Sequence, residues 1–298
     1  MKVIRKGLIV ALNRFSAYVL VLIPGYLFVC YAVCQSVDSV QGVPFKDGIE
    51  IKINGQGPFH FGVDTGAAGA FLIDPELAQR LHLPTVSKTY AQGFKDSGCG
   101  PAVEMLRIDL LQLAGHSFRN VIGVGFSGTP GGGGGTLGIG LFNDLLLKLD
   151  YVHDKLFVSE GSLPVSDGKT VLTYTDAYHA HPFIPVVLGG VPTSAMLDTG
   201  ARSTGADLMA PFQLVQKLHL MAPMQESGTV KDILGHSYTR YIATLDGDLM
   251  IGDLQVHRPT LLISDMLPVV TLGGICNRLV ITLDHRNHRL KLEMPSSR

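Results

Sequence analysis

The stretch "HFGVDTGAAG", residues 60–69, has a near copy in "AMLDTGARST", residues 195–204. Both place Asp-Thr-Gly directly behind an apolar run, and the two acids, Asp64 and Asp198, stand 134 positions apart. A lone Asp-Thr-Gly is a weak signal in a chain with 35 glycines. A strand that ends in a turn, its Asp bonded to nearby amides, produces the same tripeptide for structural reasons alone. Two copies at matching places in a repeated chain mean more, because two carboxylates that meet in space can do chemistry that one cannot.

The rest of the chain is repeated at nearly the same period. "LAQRLHL", residues 77–83, agrees with "LVQKLHL", residues 214–220, at all but two positions, and one of those two keeps its charge. "LLLKLDYVHDKLFV", residues 145–158, matches "LVITLDHRNHRLKL", residues 279–292, with Asp150 and Asp284 in register. Each copy opens with apolar strands joined at Asn54-Gly55 or Gly189-Gly190, as expected of hairpin turns. The Asp-Thr-Gly loop follows, then a short amphipathic helix opened by Pro75 or Pro211. A polar stretch comes next, at 84–104 or 221–241, followed by more strands, a second short helical piece and a closing hairpin that turns at 151–155 or 285–289. The turn-forming residues 159–170 read as a linker. The expected organisation is a targeting segment over 1–35, one unit over 43–160 and a second over 170–296.

Composition narrows the function classes. With 24 Lys+Arg against 25 Asp+Glu, the net charge is −1, and no basic cluster interleaves with aromatics, so nucleic acid is excluded as an expected partner. Only 16% of residues are charged, which suits short strands and tight turns better than long surface helices. At the N-terminus Lys2, Arg5, Lys6 and Arg14 precede residues 15–34, a run without charge. That length matches the roughly 20 apolar residues needed to span a bilayer, and the basic flank should stay cytoplasmic. A hydrophobic helix is expected there, acting as a membrane anchor or as a cleaved signal, with the rest of the chain exported. Two of the four cysteines fall in or beside this run, and Cys99 and Cys276 are expected as free thiols. There is no C-x-x-C and no H-E-x-x-H, so no metal and no cofactor is expected.

The apolar-apolar-Asp-Thr-Gly-Ala core of each copy, with the late segments "TLGIGLFNDLLLKLDY" and "TLGGICNRLVITLDH", resembles the retropepsin-like aspartic proteases, in particular bacterial exported members. The likeness covers most of residues 45–295, once per copy. It implies a mostly β chain of two acid-protease β-barrel units fused into a bilobal pseudo-dimer. It also implies an aspartic endopeptidase acting on peptide or protein substrates. Asp64 and Asp198 would then be the catalytic pair. Thr65 and Thr199 would hydrogen-bond between the two loops, and Gly66 and Gly200 would allow close approach to the carboxylates, where a Cβ would interfere.

Two carboxylates about 3 Å apart cannot both ionise, and one retains a proton; the handling of this pair is a general result for such enzymes. The ionised partner takes a proton from a water between them while the protonated one donates to the scissile carbonyl. The pair titrates as a unit, so which Asp is acid and which is base stays open at this level. Ala67 and Ala201 stand where pepsin-like enzymes commonly carry a hydroxyl donor. Its absence predicts a pH optimum above about 4.5. Arg202 departs from the family pattern and either favours the charged pair or faces solvent. The polar stretches 84–104 and 221–241 are the expected flaps over the substrate.

Other signals are weaker. The G-x-G-x-x-G at 123–128 runs into Pro130 and a glycine run, which reads as a flexible loop and not as a cofactor turn. His179 and His181 lack a third ligand and read as surface histidines. No G-x-S-x-G elbow is present. Two other readings remain: a catalytically silent duplicated barrel that binds peptides or partners, and an enzyme completed only in a homodimer.

Overall fold

Alternation sets the first strands. Ile49, Ile51 and Ile53 are buried while Glu50 and Lys52 are exposed, the two-residue period of a strand with one face on the core. The structure, a computed structural model, describes residues 42–67, 69–92, 99–126, 134–177, 181–231, 236–266 and 268–295, together with the backbone of 19–23 and 26–30. Ile49–Ile53 and Gln56–Asp64 form a hairpin around Asn54 and Gly55, both at positive φ, as this turn requires.

The hairpin belongs to a seven-stranded sheet in the order 49–53, 56–64, 135–138, 71–73, 116–125, 99–113, 85–92. Ile49–Ile53 also pairs with Cys99–Leu113, with Ile51 opposite Leu113, so six of these strands close into a barrel. Helix Pro75–Arg80 starts at the expected proline and is capped by Asp74, whose carboxylate accepts from Glu76 N and Leu77 N. The second copy builds the matching pieces into a ten-stranded sheet. Its hairpin joins His181–Leu188 to Val191–Leu197 across Gly189-Gly190. Its helix, Phe212–Val215, begins one residue after the expected Pro211, which serves as N-cap.

Both strands that lead to an Asp-Thr-Gly are flanked in parallel by a strand from late in their own copy. Asp64 pairs with Gly138, and Leu197 with Leu272. The closing hairpins of the two copies then join. Leu146–Asp150 pairs with Val280–Asp284, placing strands of both copies in one five-stranded sheet. Asp150 accepts from Val152 N and His153 N, and Asp284 from Asn287 N, so the two registered acids cap equivalent turns. Residues 160–170 form no helix or strand and are tied down where Leu163 N donates to Asp284 at 2.9 Å. One apolar core runs through both copies of 42–298.

The N-terminal segment corrects the expectation of a hydrophobic helix. Val19–Ile23 and Tyr26–Cys30 are two antiparallel strands, with Ile23 opposite Tyr26. Among the described residues, no helix is long and apolar enough to cross a membrane. The residues themselves supply the reason. Val19, Val21 and Ile23 are β-branched and favour strands. The glycine-rich stretch from 127 to 133, read as a flexible loop, lies outside the described residues.

Candidate active site

The two Asp-Thr-Gly loops meet. Each loop leaves a buried strand end and turns at once, Ala67 N donating to Asp64 O and Ala201 N to Asp198 O, both at 3.2 Å. The late strand of each copy lies beneath its loop. A Cβ on Gly138 would stand 2.7 Å from Ala67 O, and one on Gly273 2.5 Å from Ala201 O. Only glycine lets these parallel strands press so close to the turns.

The threonines interlock across the copies. Thr65 N donates to Thr199 Oγ1 at 3.0 Å, and Thr199 N to Thr65 Oγ1 at 3.1 Å. Each hydroxyl passes its own proton onward across the boundary, Thr65 to Leu197 O at 2.8 Å and Thr199 to Val63 O at 3.5 Å. Both side chains are buried, where a hydroxyl left unpaired would be costly. The two loops are thereby held in one fixed relation.

Asp64 and Asp198 face each other across the two loops, close enough for the charge of Asp64 to act on Asp198. Asp64 is buried, and its Oδ1 accepts from Gly66 N at 2.7 Å and from Gly200 N, in the other copy, at 2.8 Å. Asp198 Oδ1 accepts from Ala201 N at 3.1 Å. The two acids therefore sit in unlike surroundings. Burial, followed by the charge of Asp64, pushes the Asp198 carboxyl up to about 8. Such a pair holds one proton over a wide pH range. A Cβ on Gly66 would lie 2.5 Å from Asp198 Oδ1, and one on Gly200 would collide with the Asp64 carboxyl. The six residues expected from sequence, Asp64, Thr65, Gly66, Asp198, Thr199 and Gly200, are thus in mutual contact.

Arg202 does not face open solvent. Its Nε donates to Thr199 O at 2.8 Å, and its guanidinium lies 4.6 Å from the ring centre of buried Tyr151. A cavity of about 580 Å³ opens beside Asp64 and Gly200, with Lys46, Asp47, Arg202 and Asn277 on its walls. Cys276 is a free thiol. Burial pushes its pKa up, which leaves it no nucleophile. The side chain of Cys99 lies outside the described residues.

His181 corrects the sequence reading. It is not a surface residue: it is buried, and its Nε2 lies 2.7 Å from the Gly66 carbonyl oxygen. A carbonyl only accepts, so Nε2 carries the proton and donates. The one sequence signal was its place at the entrance of the strand that leads to the second Asp. His179 lies outside the described residues. The flap stretches are hairpins in their described parts, Thr85–Gln92 on Cys99–Leu113 and Gln225–Lys231 on Ser237–Thr244.

The fold is thus mostly β with a closed six-stranded barrel, and its two Asp-Thr-Gly loops are in contact. Residues 49–141 match the family model described as "Aspartyl protease". Among solved structures, the chain is similar to a retropepsin-like aspartic protease from Rickettsia conorii at 20% identity. That match covers 41% of this chain and 87% of the other, with a TM-score of 0.32. No curated protein matches the chain.

Proposed function

We propose that the chain is an aspartic endopeptidase in which Asp64 and Asp198 share one proton and activate a water between them. The observation that carries this is the meeting of the two acid loops, where Gly200 N donates to Asp64 Oδ1 at 2.8 Å, with Asp198 pushed up to about 8 by burial and by the charge of Asp64. Asp198 then holds the proton at neutral pH. Asp64, its Oδ1 accepting from the amides of Gly66 and Gly200, is the base assigned to the water.

In the first step Asp64 takes a proton from the water, whose oxygen adds to the carbonyl carbon of the substrate peptide. Asp198 gives its proton to the carbonyl oxygen. The tetrahedral diol so formed collapses as a proton passes from Asp64 to the amide nitrogen and the C–N bond breaks. Asp198 recovers its proton from the diol, so the pair ends as it began. No covalent intermediate forms. The strand pairs Thr85–Gln92 with Cys99–Leu113 and Gln225–Lys231 with Ser237–Thr244 serve as covers over the cleft.

Incubation of the full-length chain with a peptide library tests the reading. Wild type cleaves, whereas Asp64→Asn and Asp198→Asn each lose about a thousandfold in kcat/KM. Full activity in either variant would rule out the shared site. We further infer that the protein acts outside the cytoplasm, a reading supported by the uncharged run 15–34 behind four basic residues. Cell fractionation with an antibody to the chain checks it, and a purely cytosolic signal contradicts it.

A further inference from the structure

Each acid loop receives a side-chain donor on one of its carbonyls, but the two donors differ in kind and in origin. The second loop is held from within its own copy, where Arg202 Nε donates to Thr199 O. The first loop is held from across the boundary. His181 opens the strand His181–Leu188 of the second copy, and its Nε2 donates to Gly66 O at 2.7 Å. The matching stretch of the first copy, Lys46-Asp47-Gly48, contains no histidine, so the duplication has become asymmetric at this point.

The bonded carbonyl belongs to the peptide that joins Gly66 to Ala67. The amide on the other side of Gly66 is the one that donates to Asp64 Oδ1 at 2.7 Å. Between these two peptides lies a residue without a Cβ, whose dihedrals cost little to change. Nothing intrinsic to Gly66 therefore keeps its amide on the carboxylate. A rigid ring that is 5% exposed and bonded to the next carbonyl supplies that constraint. Water does not readily replace a donor so deeply buried.

We propose that His181 is a positioning residue for the dyad: its bond to the Gly66 carbonyl fixes the Gly66 backbone and so holds the Gly66 amide on Asp64. The inference rests on the aspartic-protease reading for its consequence in catalysis, and on geometry alone for its effect on the loop.

The test uses the full-length chain with His181→Phe, which keeps a ring and loses the donor, and His181→Gln, whose amide can still donate. If the Phe variant does not fold, His181→Asn, polar but too short to reach, takes its place. The donor-less variant should lose about tenfold or more in kcat with KM little changed, the signature of a misplaced group, and Gln should restore most of the loss. A second readout needs no activity. The Gly66 amide proton, followed in isotope-labelled protein, should move upfield in the donor-less variant and return in the Gln variant. If wild type itself cleaves nothing, the protease reading fails, while the amide shift still decides the brace. An unmoved Gly66 amide in the donor-less variant overturns the proposal, even where the melting temperature drops.

Discussion

Gly66 and Gly200 each stand against the carboxyl of the opposite copy. A Cβ on Gly66 would sit 2.5 Å from Asp198 Oδ1, well inside van der Waals contact, and the carboxyl would have to move. Gly66→Ala and Gly200→Ala should therefore fold, by circular dichroism, yet lose about a hundredfold in kcat, since displacements near 1 Å have that effect on a reacting pair. Asp198 makes a second prediction at this scale. Its carboxyl is raised from 3.8 to about 8, so the folded protein keeps a proton that the unfolded chain releases. The contribution to stability is fully present below about pH 4, declines as pH rises, and is lost through about pH 8. Thermal melts should show Asp198→Asn gaining on wild type between pH 4 and pH 8.5, because the amide never has to be buried as an ion. The same loss of the proton places the alkaline limb of activity near pH 8. Melting curves of the two proteins that stay parallel across this range would contradict the assignment of the proton to Asp198.

At the scale of elements, the loops are held by the threonine interlock more than by either loop's own turn. Thr65→Val removes the acceptor for Thr199 N and the donor to Leu197 O, both buried. Urea unfolding should show a loss of about 1–3 kcal/mol, the usual consequence of buried groups left unpaired. Most elements were legible one by one. Period-two burial marked Ile49–Ile53, glycine pairs marked the hairpins, and Pro75 behind Asp74 marked the first helix. These signals are local and need no partner. A helix was expected over the N-terminal run because absence of charge was weighed above residue type, and its described parts are strands. Hydropathy alone does not separate helix from strand, whereas β-branched residues lean toward strand. His181 was misread for the opposite reason: its partner, Gly66, is 115 positions away, and no local pattern points there.

In the whole molecule, the two copies are joined twice, at the acid loops and in the five-stranded sheet where Leu146–Asp150 meets Val280–Asp284. Since both acids of the site come from one chain, a mixture of Asp64→Asn and Asp198→Asn proteins should stay inactive at any ratio. Recovered cleavage on mixing would mean that the site is built between two chains. The sequence by itself determined that two Asp-Thr-Gly stretches stand in similar surroundings and which strands and turns flank them, because short-range periodicity and turn residues are written in neighbouring residues. Tertiary structure alone decided that the loops of Asp64 and Asp198 meet, that burial raises the Asp198 carboxyl, and that Arg202 and His181 are bonded to carbonyls of different loops. Those properties depend on burial and on bonds between residues more than a hundred positions apart, and a duplicated sequence looks symmetric until its copies are packed against each other.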